Sequence, residues 1–136
     1  MKKLMYGVTV LVLLLLGALA ASCIWPMSVD YGESADFSRE ERTELVEKIT
    51  ANLQNCKVYK ICYAGDALGE DSLEYCNSLA QARQEEPFVR CAVFEVTFRA
   101  PFRNARVLNP GGMYLWTYYF GQRADGTWHL ETYGVA

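Results

Sequence analysis

The sequence predicts an α+β domain in which an N-terminal helix packs against a curved antiparallel sheet of about four strands, with a second short helix. Three observations predict it: a capped amphipathic helix over 39–55, apolar–polar alternation over 88–100, and two aromatic strands around the turn 124–126. Elements with one apolar face bury those faces against each other. The 136 residues, 51% hydrophobic and 21% charged, suit one such domain and are not the composition of a disordered chain.

The chain begins with the layout of a secretory signal peptide. Lys2 and Lys3 form a positive start, and Leu4 to Ala21 is an uncharged run of 18 residues. The run just reaches the length of a membrane-spanning helix. The segment could therefore remain as an uncleaved anchor. It could also be removed after Ala18-Leu19-Ala20, which would give a secreted protein. Either outcome puts the remaining chain outside the cytoplasm.

The end of this segment, Ala20-Ala21-Ser22-Cys23, resembles the lipobox of bacterial lipoproteins. The resemblance implies that Cys23 is acylated, becomes the mature N-terminus and binds the cell membrane through its lipid. The match departs at Ala20, where the family prefers leucine. The expected organisation is a signal peptide over 1–22, lipid attachment and a tether over 23–38, and the folded domain over 39–136.

The net charge of the exported part argues against anionic partners. Removing residues 1–22 removes two lysines and no acidic residue, so the exported part has 11 basic and 16 acidic residues, a net charge of −5. Such a charge disfavours nucleic acid and anionic lipid.

The first domain helix begins after Ser38, which forms a capping box with Glu41. An apolar stripe extends the helix to about Asn55 and consists of Leu45, Val46, Ile49 and Leu53. The β-branched and aromatic residues 57–63 predict a strand, and the two glycines in 64–71 predict a loop. A second helix is expected from Asp71 or Ser72 to about Gln84, before Pro87.

Three long strands follow, over 88–100, 113–123 and 127–133. A three-residue loop that pairs Arg123 with Thr127, with Gly126 in the left-handed conformation, gives the last two strands a consistent apolar face. That face holds Trp116, Tyr118, Phe120, Trp128 and Leu130. The same register predicts that His129 and Glu131 face solvent.

This element order, with the closing stretch from Trp116 through Trp128 to Gly134, resembles the cystatin-like and nuclear-transport-factor-2-like rolls of small uncharacterised lipoproteins. The resemblance implies a sheet wrapped around the first domain helix. The inhibitory Gln-x-Val-x-Gly of cystatins is absent, so protease inhibition is not implied.

Five cysteines support the lipid, because an odd count in an exported protein leaves one unpaired. With Cys23 acylated, the disulfide candidates are Cys56, Cys62, Cys76 and Cys91. A strand over 57–63 puts Cys56 and Cys62 about 20 Å apart, too far for a bridge. The remaining pairings are Cys56–Cys91 with Cys62–Cys76, which we favour slightly, or Cys56–Cys76 with Cys62–Cys91.

Catalytic and phosphate-binding motifs are absent, and we predict no catalytic residue, metal site or cofactor. The loop acids around Asp66 lack EF-hand spacing, and Arg99, Arg103 and Arg106 are interpreted as surface charge. The sequence favours a non-enzymatic lipoprotein that acts as a binding or interaction module on the extracytoplasmic face of the cell membrane, with an extracytoplasmic protein as a candidate partner. One alternative is a small-ligand pocket in the roll, lined by Trp116, Tyr118 and Trp128. The other is an isomerase-like enzyme, which would need a carboxylate or histidine inside the cone of the sheet, so that a buried Glu95, His129 or Glu131 would favour it.

Overall fold

The computed structural model describes residues 2–23, 26–103 and 108–135, which form three helices and a five-stranded sheet. The elements in chain order are α1 (Lys2–Cys23), β1 (Ser28–Asp30), α2 (Arg39–Asn52), β2 (Lys57–Tyr63), α3 (Asp66–Ala82), β3 (Arg90–Arg99), β4 (Met113–Gln122) and β5 (Trp128–Gly134). The strands lie in sequence order, β1 parallel to β2 and the others antiparallel. The α+β class is confirmed, whereas the expected count of about four antiparallel strands is corrected by the parallel edge strand β1.

The additional strand lies in the segment predicted to be a tether. Val29 of β1 pairs with Ile61 of β2, and Phe37 is buried with only 4% of its surface exposed. The guanidinium of the buried Arg42 donates hydrogen bonds to the carbonyls of Tyr31 and Gly32. These contacts make the chain from β1 onward part of the folded domain.

Helix α2 begins as its sequence predicts. The Ser38 hydroxyl accepts from the Glu41 N–H at 3.1 Å, and the Glu41 carboxylate accepts from the Ser38 N–H at 2.8 Å, which completes the capping box. The helix ends at Asn52, three residues earlier than predicted, because the chain turns at Leu53 to enter β2. Its buried face consists of Arg42, Leu45, Val46 and Ile49.

The main core lies between α2 and one face of the sheet, which we call the inner face. Its fully buried side chains come from α2 and the three central strands and include Leu45, Ile49, Ile61, Phe94, Phe98, Tyr118 and Phe120. The alternation seen in the sequence therefore directs the large apolar residues of β3 and β4 to α2.

Helix α3 begins at Asp66, earlier than the predicted start at Asp71 or Ser72. Gly65, with φ of 101°, makes the turn from β2 into the helix. Gly69, expected in a loop, lies inside the helix, and a Cβ there would come within 2.3 Å of the Cys91 carbonyl oxygen of β3. This glycine lets α3 pack closely on the opposite face of the sheet, the outer face.

The predicted turn of the hairpin is confirmed. The Arg123 N–H donates to the Thr127 carbonyl at 3.0 Å, and Gly126 has a φ of 88°. The predicted register holds as far as the pair Phe120–Leu130, and Trp128 and Leu130 pack against the main core. Beyond it, an irregularity between Tyr119 and Phe120 shifts the pairing by one residue, so Tyr119 lies opposite Thr132 and not opposite Glu131, which corrects the predicted register there.

Candidate functional site

The chemically capable side chains gather on the outer face, where α3 lies near the first half of β3 and the first half of β5. A second, smaller core lies there and contains Cys76 and Ala80 of α3 together with Phe88, Cys91 and Val93. Charged residues from the end of α3, the following turn and β5 border this core. Small residues along α3, Gly69, Ser72, Cys76 and Ala80, form its contact with the sheet.

Glu131 is central to this polar border. Its side chain is fully buried, and one carboxylate oxygen accepts from the Arg83 guanidinium at 2.6 Å. The same oxygen lies 3.6 Å from Nε2 of His129. The other oxygen, Oε1, is buried and has no hydrogen-bond partner among the described residues.

The prediction that Glu131 faces solvent is therefore wrong, because α3 and the turn after it cover this part of the outer face. His129 agrees better with its predicted position, since its side chain remains 42% exposed and its ring stacks on that of Phe88. The apolar character of Cys91 and Val93, which share this face, was the sequence signal that the outer face is also covered.

The buried acid does not lie where the isomerase-like alternative needs one. Glu131 is buried on the outer face, away from the core between the sheet and α2, and Glu95 is exposed. Neither residue therefore places an acid or base on the inner face of the sheet.

Three potential metal ligands converge at the same place. The ligand atoms of Glu85, His129 and Glu131 lie within 4.8 Å of one another. Two guanidinium groups already neutralise the carboxylates, since Arg83 contacts both acids and Arg123 lies 3.3 Å from Glu85. The Arg83 hydrogen bond lowers the pKa of Glu85. This charge balance favours an ion-pair network over a cation site.

The cysteines do not pair as the sequence analysis expected. The Sγ atoms of Cys76 and Cys91 lie 3.5 Å apart in the outer core, and neither remaining pairing contained this contact. All four domain cysteines are thiols in this structure. Cys56 is half-buried beside the main core, whereas Cys62 lies opposite Glu95 in the β2–β3 ladder. The close packing at Gly69 explains the Cys76–Cys91 contact, which sequence separation could not indicate.

The aromatic residues proposed to line a ligand pocket are packed together instead. Tyr118 is fully buried, stacks on Tyr133 and donates from its hydroxyl to the Asn52 side chain at 2.7 Å. Trp116 meets Phe98 edge to face, and Trp128 lies against Phe37. These contacts fill the inner face where the pocket was expected.

Two depressions lie elsewhere on the domain. One, of about 220 Å³, lies between the loop before α2, the first half of α3 and the start of β3. The other, of about 580 Å³, follows the end of α3 and is lined by polar side chains and Pro87. The first is smaller than ordinary ligand pockets, and the second lacks the aromatic lining typical of them.

Other predicted site residues have structural roles or lie beyond the described atoms. Asp66 accepts from Ser34, from the backbone N–H of Ala35 and from the Tyr63 hydroxyl, and so joins the segment after β1 to α3.

The predicted surface arginines occupy different environments. Arg99 lies over the Tyr59 ring and Arg103 is exposed, while Arg106 is outside the described residues. The side chain of Cys23, at the end of α1, is also outside them.

No protein-family model matches the chain, and neither a curated protein nor a solved structure matches it significantly. Within the described residues, no helix combines the length and apolar character needed to cross a membrane.

We expect the Arg83–Glu131 pair to be energetically coupled. Arg83→Met should lower the melting temperature because it leaves the buried Glu131 carboxylate without its cation. Arg83→Met should lower the melting temperature less when Glu131 is already replaced by glutamine, since no buried charge at residue 131 then remains. Thermal unfolding of the four proteins measures this coupling, and strictly additive shifts would contradict it.

Proposed function

We propose that the chain is a lipid-anchored extracytoplasmic protein whose folded domain acts as a non-enzymatic binding or protein-interaction module. The observation that carries this proposal is α1, whose apolar side chains from Met5 to Leu16 are 47–73% exposed. A continuous exposed apolar surface of this kind is typical of a segment that interacts with a membrane or another protein. The two lysines before it and the Ala20-Ala21-Ser22-Cys23 sequence after it favour export and lipid attachment.

The character of the domain supports a non-enzymatic role. The inner face of its sheet is occupied by Phe94, Phe98, Tyr118 and Phe120, all fully buried. The buried carboxylate of Glu131 is compensated by Arg83. A packed interior with neutralised charges provides a rigid surface for contact, in which the domain is held near the membrane by the lipid.

We further propose that the sheet curls around α2 as in the cystatin-like and nuclear-transport-factor-2-like rolls. The order of helix, strand, helix and three antiparallel strands supports this assignment, as does a core formed by α2 with β3, β4 and β5. The parallel edge strand β1 is a departure from the expected pattern.

Replacing the acylated cysteine tests the anchor. In Cys23→Ser, we expect the protein to leave the membrane fraction or to remain unprocessed, because serine has no thiol to acylate. Cys56→Ser is the matched control and should fractionate like the wild type. The measurements are membrane fractionation, gel migration and the mass of the mature N-terminal peptide.

The same measurements separate the alternatives. A Cys23→Ser protein that fractionates and migrates like the wild type would refute the lipid. A mature N-terminus at Met1 would then identify an uncleaved anchor, and an unmodified N-terminus near Ala21 would identify a secreted protein.

A further inference from the structure

The closest approach between α3 and the sheet brings two cysteines together. Gly69 faces the Cys91 carbonyl so closely that a Cβ would lie 2.3 Å from it. Cys76 lies further along the same helix face and is fully buried, and Cys91 is 4% exposed. Their sulfur atoms are 3.5 Å apart.

We propose that Cys76 and Cys91 are joined by a disulfide in the mature protein, while Cys56 and Cys62 remain thiols. A disulfide has an S–S distance of about 2.05 Å, so each sulfur must move by only about 0.7 Å, which small side-chain rotations can supply. Cys56 immediately precedes β2 and Cys62 lies near the far end of that strand, so an extended chain separates their Cα atoms by about 20 Å. The inference rests on the proposed function in one respect, since an extracytoplasmic compartment is where such a bond persists.

The reaction is thiol–disulfide exchange in which the oxidant is a disulfide, carried by a protein or a small molecule. The thiolate of one of the two cysteines attacks one sulfur of that disulfide and releases the other as a thiolate. The thiolate of the second cysteine then attacks the sulfur of the first and releases the second thiolate of the oxidant. The two protons of Cys76 and Cys91 pass to the released thiolates, so the oxidant leaves as a dithiol that has taken up two electrons.

In the packed domain, the hydrogen bond from Cys91 lowers the pKa of Cys76, and the same bond together with burial raises the pKa of Cys91. Both sulfurs are buried in that state, so the exchange precedes the final packing of α3 on β3. Before this packing, either thiolate can attack first.

The bond would join the two sides of this second core between residues that are 15 positions apart in the sequence. That chain contains the turn with Glu85 and the exposed Pro87, which no regular element holds. Closing a loop of this length restricts the unfolded chain and so stabilises the fold.

The test uses the full-length chain isolated from membranes after acid quenching and alkylation of free thiols. We expect a non-reducing peptide map to contain a Cys76–Cys91 linked peptide, with Cys56 and Cys62 alkylated. Any other linkage, or alkylation of all four, would overturn the inference. The mass of the N-terminal peptide from the same sample reports the lipid separately, so a lipidated chain with four thiols leaves the proposed function intact.

Thermal unfolding provides a second readout with matched variants. Reduction should lower the melting temperature of the wild type and of Cys56→Ser/Cys62→Ser by about 10 °C or more, given the usual effect of closing a loop of this size. It should leave Cys76→Ser/Cys91→Ser unchanged. A reduction effect that survives in Cys76→Ser/Cys91→Ser and disappears in Cys56→Ser/Cys62→Ser would overturn the pairing. If Cys76→Ser/Cys91→Ser does not fold, the wild type and Cys56→Ser/Cys62→Ser decide, because a wild type insensitive to reduction also refutes the bond.

Discussion

Replacing Phe94 with alanine is expected to lower the free energy of unfolding by about 3–5 kcal/mol, the range for large aromatic truncations in a core. Phe94 is fully buried at the centre of β3, and its ring packs against those of Tyr63 and Phe120 at 5.3 and 6.1 Å between centroids. Neighbours on both adjacent strands and on α2 prevent the cavity from collapsing completely.

Phe102→Ala is the matched control, because the Phe102 side chain is 74% exposed in the loop after β3. It should change the free energy of unfolding by less than about 0.5 kcal/mol. Urea unfolding measures the free energy of unfolding of both full-length variants, and equal effects of the two substitutions would refute the position of the main core.

Introducing valine at Gly69 is expected to cost about 3 kcal/mol, the upper part of the range for overpacking. A Cβ at this position meets the backbone oxygen of Cys91 at 2.3 Å, and backbone in the middle of a sheet cannot move aside as a flexible side chain can. Helix α3 must therefore shift away from β3, which also separates Cys76 from Cys91.

Glu70→Val provides the comparison, since it adds the same side chain at the adjacent, exposed position of α3. Its effect on unfolding should stay below about 1 kcal/mol, which reflects only the lower helix propensity of valine. A Gly69→Val protein as stable as Glu70→Val would show that α3 does not lie as close to the sheet as described.

The inner face of the domain could be predicted from the sequence because its signals are local. Alternation along β3, aromatic residues at every second position of β4 and the Ala124-Asp125-Gly126 turn each determine which side chains face α2. The capping box at Ser38 likewise specifies where α2 begins without any distant contact. The same local signals are enough to place Trp128 and Leu130 in the core.

The outer face could not be predicted in the same way. Glu131 and Arg83 are 48 residues apart, so no local pattern indicates that they form an ion pair. His129 and Glu131 have the polar character of a solvated strand face, and only the position of α3 decides that Glu131 is buried. The three residues of β1 are too few for a periodic pattern, and their pairing with β2 depends on contacts across the fold.

By itself, the sequence determined the α+β class, the register of the last hairpin next to its turn and most residues of the main core, because hydrophobic periodicity acts within single elements. The shift in pairing between Tyr119 and Phe120 was not predicted. The tertiary structure alone decided the partners on the outer face: Glu131 with Arg83, and Cys76 with Cys91. The physical reason is the packing of α3, whose small residues at Gly69, Ser72, Cys76 and Ala80 give little apolar signal in sequence yet allow a close approach to β3.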